Sequence, residues 1–267
     1  MIITLFGSRQ KQAERGYRRG GIFEEADVIR EKMAEKQVGK KNDFRWRGGE
    51  ILRVEGFSDA VFAFALTLLV VSLEVPKSFN ELLITMKGFG AFAICFALLT
   101  FLWYEHYVYF RRYGLDDPLT ITLNSILLFV ILFYIYPLKF LFTLVVNQLM
   151  GIVPQHNLSE PTLHSGQTEL LMAIYGAGYL AVFLLFALLY YHPLRKKDLL
   201  ELSELEIYDT KTSISGNIIH AFIAAMSIVL TFISGGGWPG WAVYFLLGPF
   251  LTVHGTVRGK GRRALEG

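Results

Sequence analysis

The chain has 267 residues, 53% of them apolar, with 22 Phe, 13 Tyr and a formal net charge of +3. Its apolar residues come in unbroken blocks about as long as the roughly 20 residues that cross a hydrocarbon core. A soluble globule, which disperses such residues at helical or strand period, is thereby excluded, and an integral membrane protein is expected. The single cysteine, Cys95, lies inside one block, so no internal disulfide is expected.

In chain order, the opening "MIITLFGSRQ" has an apolar run too short for a signal peptide, with no basic segment before it. Residues 1–50 are soluble in character. Within them "IFEEADVIREKMAEKQ" places Ile22, Ala26, Ile29 and Met33 on one helical stripe. A short cytoplasmic helix on the membrane surface or on the protein's own base is expected there, with basic flanks suited to anionic headgroups. Six spans follow, at 53–75, 88–110, 119–147, 168–191, 217–234 and 238–255. The third is long enough to tilt or to break near Pro137, and Gly248-Pro249 should kink the sixth. "GGGWPG" between the last two reads as a tight hairpin. The expected division is a basic N-terminal segment, 1–50, an all-α membrane domain of six transmembrane helices, 51–256, and a basic tail, 257–267.

Lys and Arg placement gives the orientation. Twelve precede the first span, and Arg111, Arg112, Arg195, Lys196, Lys197, Lys211, Arg258, Lys260, Arg262 and Arg263 fall on the same expected side. The other side has only Lys77 and Lys87. Both termini are therefore expected in the cytoplasm.

Many chemistries are missing from the sequence. There is no phosphate-binding glycine loop and no nucleophile elbow, so no enzyme and no cofactor is expected. The six histidines are scattered; His156 and His164 share a loop that reads as solvated rather than metal-binding. Basic residues without an aromatic stacking platform in a soluble fold make no case for nucleic acid. No "TVGYG"-like filter and no arginine-laden voltage sensor is present either.

The first span, "RVEGFSDAVFAFALTLLVVSLEV", holds an aspartate, Asp59, two turns inside an apolar helix length. An ionised side chain there costs roughly 2.5–3.5 kcal/mol on insertion scales, so it marks something specific. At about 100° per residue, Phe57, Ala60, Phe64, Thr67, Leu68, Val71 and Val75 form one stripe, and Asp59 lies about 140° from Phe64. A carboxylate there and a pore wall built from the stripe belong to two faces.

Arg53-x-x-x-Phe57-Ser58-Asp59, followed by "AVFAFALTLLV", resembles the first-helix signature of the transmembrane protein 175 family of potassium channels. "FLWYEHYVYF", with Trp103, His106 and Phe110, is similar to the end of that family's second helix; Asn124 and Tyr136-Pro137 fit its third. The resemblance covers roughly residues 50–140 and implies a prokaryotic member with six spans per chain. It implies a homotetramer in a prokaryotic plasma membrane, with the first helix lining a central pore and K+ as the permeant ion. By position, the resemblance puts the closing apolar rings on Phe64, Leu68 and Val71, with the Thr67 hydroxyl as a polar layer between them. The family usually has Ile or Leu where this chain has Phe64.

Arg53, Phe57, Ser58 and Asp59, with Trp103, His106 and Asn124, are then expected to form a structural network behind the pore, since indole and imidazole N–H groups supply donors to a carboxylate. Arg53 is expected to pair with another helix or subunit. The expected partners are other copies of the chain, lipids and monovalent cations. The rival reading is a proton-coupled transporter using Asp59 and His106 as a relay. Lys139, Glu105 and Glu74 lie near span ends where side chains snorkel. Ala173, Ala177 and Ala181, near Gly176 and Gly178, suggest close packing of the fourth span.

Overall fold

Eight α-helices and one 3-10 turn follow one another from Arg53 to Glu266 among the described residues. The computed structural model describes residues 44–71, 77–87, 89–150, 166–235 and 237–266. The chain divides into two units, Met1–Trp46 and Arg47–Gly267, and the second carries these helices. The amphipathic stretch at 22–33, Glu74, Val75, His156 and His164 lie outside the described residues.

The helices are α1 (Arg53–Val71), α2 (Phe79–Lys87), α3 (Phe89–Tyr113), α4 (Pro118–Met150), α5 (Gln167–Arg195), α6 (Glu204–Ser234), α7 (Gly237–Val243) and α8 (Leu247–Glu266). Five segments among the described residues are long and apolar enough to cross a membrane: Phe89–Tyr113, Pro118–Val146, Gln167–Arg195, Glu204–Ser234 and Pro239–Glu266. The first of the six expected spans, α1, is not among them. Arg53, Glu55 and Asp59 crowd charge into its first two turns.

Other departures have local causes. Helix α2 was not expected, although Ser78-x-x-Glu81 is the start signal that reveals it; the Leu82 amide donates to the Ser78 carbonyl at 3.0 Å. In "GGGWPG" the chain turns at Gly235 (φ 61°) and is helical from Gly237, where Pro239 sits in the first turn and gives up no needed amide. Helix α4 runs unbroken through Pro137, and the Tyr175 hydroxyl donates to the Pro137 carbonyl. The break expected at Gly248-Pro249 falls just before it, at the 3-10 turn Tyr244–Leu246, because the proline ring displaces the carbonyl four residues earlier.

The largest difference is at one end of the bundle. Helix α6 begins at Glu204, about 20 Å before the expected span at 217. A capping box explains the start: Ser203 Oγ accepts from the Glu206 amide while Glu206 Oε2 accepts from the Ser203 amide. The expected tail is helical to Glu266 and lies along this extension. Arg262 Nε donates to Asp209 at 3.1 Å, Tyr208 Oη donates to the Arg258 carbonyl at 3.1 Å, and Ser215 and His254 are hydrogen-bonded at 2.6 Å.

Packing places α1 on α3 and α4, α4 on α5, and α5 along α6 in the most extensive contact; α7 and α8 lean on α6. The closest approaches of α5 are at its glycines, while Ala173 and Ala181 are half-buried and Ala177 is exposed. A Cβ on Gly176 would stand 2.5 Å from Ile228 of α6, and one on Gly178 2.3 Å from the Tyr134 ring of α4. That ring is held, since its hydroxyl donates to the Tyr175 carbonyl at 3.0 Å. Gly178→Ala is therefore expected to cost about 1–3 kcal/mol in thermal unfolding of the purified protein. Gly255→Ala, whose Cβ meets open space, serves as the neutral control.

Candidate functional site

Helix α1 buries Glu55, Ser58, Phe62, Ala65 and Leu69, spaced three and four residues apart, against α3 and α4. The opposite side is uncovered. Phe57 is 60% and Phe64 57% exposed, and Arg53, Ala60, Ala63 and Thr67 are exposed with them. Leu68 is half-buried at one edge of this open face, about 40° from Phe64. Val71 is the last residue of α1, and its side chain lies outside the described residues.

On the covered side a hydrogen-bond chain joins three helices, and its direction can be derived. Ser58 Oγ donates back to the Val54 carbonyl at 2.7 Å, so it accepts from Asn124 Nδ2 at 2.9 Å. That leaves Asn124 Oδ1 to accept from His106, whose Nε2 lies 2.9 Å away and must carry the proton. Ser58, Asn124 and His106 are all buried, and Phe62 and Phe110 pack against the imidazole at ring distances of 5.6 and 4.7 Å. His106 Nδ1 is buried without a hydrogen-bond partner.

Asp59 stands apart from this chain. Its Oδ1 accepts from Trp103 Nε1 at 2.8 Å, as expected for an indole donor, but the carboxylate is exposed in the single chain. It sits at a groove of about 480 Å³ between α1 and α3, lined also by Phe62, Ala63, Leu66 and Leu99. So Ser58 is enclosed behind the open face, whereas Asp59 stands at its margin.

Three details bear on what the open face can do. Thr67 Oγ1 donates its proton to the Ala63 carbonyl at 2.9 Å, so the lone pairs of the hydroxyl remain to face a cation. At the far end of α1, Lys139 Nζ donates to the Leu69 carbonyl at 3.3 Å. A cation on a helix C-terminus is favourable, so this lysine does more than snorkel. At the near end, Leu52 N lies 3.4 Å from Glu55 Oε2, which closes the first turn.

Comparison with known proteins places the network. The family model described as the endosomal/lysosomal potassium channel TMEM175 matches residues 53–134, the segment holding Arg53, Ser58, Asp59, Trp103, His106 and Asn124. A protein of Marivirga tractuosa named a potassium channel is 42% identical over 244 residues, covering 88% of this chain and 98% of that one. The chain belongs to the TMEM175 family. The crystal structure of the potassium channel MtTMEM175, in a complex with a nanobody–MBP fusion, superimposes with a TM-score of 0.73 at 40% identity over 84% of this chain and 100% of that one. A TMEM175 homologue from Chamaesiphon minutus, at 22% identity and a TM-score of 0.50 over 75% of this chain and 95% of that one, shares the fold.

Beyond the family-matched segment lies an anchor that sequence reading missed. Arg47, six residues before α1, grips Glu206 of α6 with Nη1 and Nη2 at 2.9 and 2.8 Å, and its Nε donates to the Leu200 carbonyl at 2.9 Å. Next to it, the Gly48 amide donates to the Arg111 carbonyl at 3.1 Å while Arg111 Nη1 donates to the Gly48 carbonyl at 2.7 Å. A Cβ on Gly48 would stand 2.6 Å from the Phe110 carbonyl oxygen, which is why glycine is needed there. The lead-in to α1 is thus tied to α3 and α6.

Asp117, which precedes α4, ties that helix to α5. It accepts from Thr120 Oγ1 at 2.7 Å and lies 2.9 Å from His192 Nε2 and 3.3 Å from Lys196 Nζ. Burial raises its pKa, but the Thr120 hydroxyl, Lys196 and His192 together outweigh burial and hold it below the usual carboxylate value.

Two outcomes follow from these contacts. Asn124→Leu strands Ser58 and His106 and is expected to cost about 1–3 kcal/mol for each unsatisfied group, measured by thermal unfolding. Asp59→Asn keeps an acceptor for Trp103 and should cost less. For Asp117, a lowered native pKa means a contribution fully present above the unfolded value of about 3.9 and lost as pH falls through the native value. The unfolding midpoint should therefore fall between pH ~5 and ~3, and Asp117→Asn should remove part of that fall.

Proposed function

We propose that the chain is a potassium-permeable cation channel, a homotetramer in which four copies of α1 enclose a central pore. The observation that carries this reading is the two-sided burial of α1. One face is locked into its own chain by Ser58, Asn124 and His106, and the opposite face, with Phe57, Ala60, Phe64 and Thr67, is left uncovered. One helix cannot enclose a pore, and symmetry supplies the remaining walls. The same reading accounts for the charge of α1, because a helix that faces an aqueous path in the assembly need not be apolar enough for lipid. Its close relative and its structural neighbour are both named potassium channels.

In this reading Phe64 forms an apolar constriction that gates by excluding water, flanked by Leu68 and, one turn further, Val71. Thr67 offers hydroxyl oxygens that replace part of the hydration shell of a passing K+. Lys and Arg gather where α1, α4 and α6 begin, as the contacts of Arg47, Arg112 and Arg262 show. By the charge rule that end and both termini are cytoplasmic, in a prokaryotic plasma membrane. A proton relay through Asp59 and His106 has less support. The imidazole donates to the Asn124 side chain, an amide that does not pass protons on, and Asp59 is engaged by Trp103.

The test is ion flux in vesicles carrying the purified protein. Wild type should pass K+ down its gradient. Thr67→Ala should change the K+ over Na+ preference by roughly 5- to 10-fold, equivalent to about 1–1.4 kcal/mol. Phe64→Ala should raise the conducted current, and Leu68→Ala should shift it less. Flux and preference unchanged in all three variants would show that another surface lines the path.

A further inference from the structure

Helix α8 has two faces that treat its basic residues in opposite ways. On the inner face Arg262 pairs with Asp209, and Arg258 lies over the Tyr208 ring at 5.4 Å. On the outer face Phe250, Val253 and Val257 are 49%, 61% and 61% exposed, spaced three and four residues apart. That stripe continues at the same spacing into Lys260, and Arg263 follows one turn on. Both are exposed, and among the described residues neither takes part in an ion pair.

The change from apolar to basic on this face, between Val257 and Lys260, falls beside the first two turns of α6, where Tyr208 and Asp209 meet α8. Ser215 of α6 is bonded to His254 of α8, and the exposed apolar residues of α6 begin just beyond it, at Ile218 and Phe222. On the other side of that bond the pair carries Arg262–Asp209 and Tyr208 with Arg258. The basic end of α8 thus lies beside the polar start of α6, with Lys260 and Arg263 roughly 9 and 14 Å past His254 along the helix. Cations there, on a face that is lipid-apolar one turn earlier, meet phosphate groups of the bilayer.

We propose that Lys260 and Arg263, on the outer face of α8, form a docking surface for anionic phospholipid headgroups of the leaflet from which α1, α4 and α6 start. The surface lies outside residues 53–134, the segment shared with the family model. It rests on the membrane setting of the helices and not on the pore assignment. The headgroup phosphate meets the two cations while its acyl chains lie along Val257, Val253 and Phe250.

The test reconstitutes the full chain in phosphatidylcholine bilayers containing phosphatidylglycerol and counts the lipids retained after extraction by native mass spectrometry. Wild type should retain phosphatidylglycerol preferentially. The preference should fall by about 5-fold for each charge removed in Lys260→Gln and Arg263→Gln. The swaps Lys260→Arg and Arg263→Lys should keep it. High salt applied to wild type should weaken it as screening requires, a measure that needs no variant. Retention of phosphatidylglycerol at the wild-type ratio by the double glutamine variant, or a preference insensitive to salt, would overturn the proposal.

Discussion

The rotation of α1 about its own axis is the constraint on which the rest of the molecule depends. It is set by the chain from His106 through Asn124 to Ser58, three buried side chains whose donors and acceptors match in only one direction. Turning α1 away from this position strands polar groups in a dry interior at about 1–3 kcal/mol each. It also lifts Phe62, Ala65 and Leu69 out of their packing against α3 and α4. With the rotation fixed, the opposite face has no freedom over what it presents: Phe64, the oxygen of Thr67 and, at the edge, Leu68. Function in this reading belongs to unremarkable side chains, and the polar motif acts by aiming them.

The outer helices hold that arrangement from both ends. Arg47 and Gly48 fasten the lead-in of α1 to α6 and α3, and Lys139 of α4 meets the carbonyl of Leu69 in its last turn. Helix α5, brought close to α4 and α6 by Gly178 and Gly176, forms the rigid contact between the inner group and α6. The paired ends of α6 and α8 extend the fold past the apolar stretches, so Lys211, Arg258, Lys260, Arg262 and Arg263, expected in a loop and a tail, belong to helices. The Arg47–Glu206 pair is thus the side-chain contact that joins the lead-in of α1 to α6.

Much of the site was legible because its signals are local or depend on one helix period. The stripe of Phe57, Ala60, Phe64 and Thr67 follows from the 100° rotation, and Ser58, Trp103, His106 and Asn124 carry donor and acceptor chemistry that has to be satisfied. Which partner each takes was not legible, since Ser58 and Asn124 meet across 66 residues and Arg47 and Glu206 across 159. Asp59 was expected behind the pore because it lies about 140° from Phe64; in the single chain it accepts from Trp103 while its carboxylate is exposed, a position that periodicity alone does not resolve. At α1 the described helix, Arg53–Val71, covers the first 19 residues of the expected span and carries Arg53, Glu55 and Asp59 in its first two turns. The early start of α6 was written in the Ser203–Glu206 capping box, which a search for apolar blocks passes over.

The most direct test of the two-faced helix is thiol accessibility along α1 in vesicles that conduct K+. The native Cys95 is buried and free, so background reaction should be low. A small cationic thiol reagent should block flux through Thr67→Cys and leave Leu69→Cys unaffected, because the first faces the path and the second faces α3 and α4. Block at Leu69→Cys with none at Thr67→Cys would contradict the account.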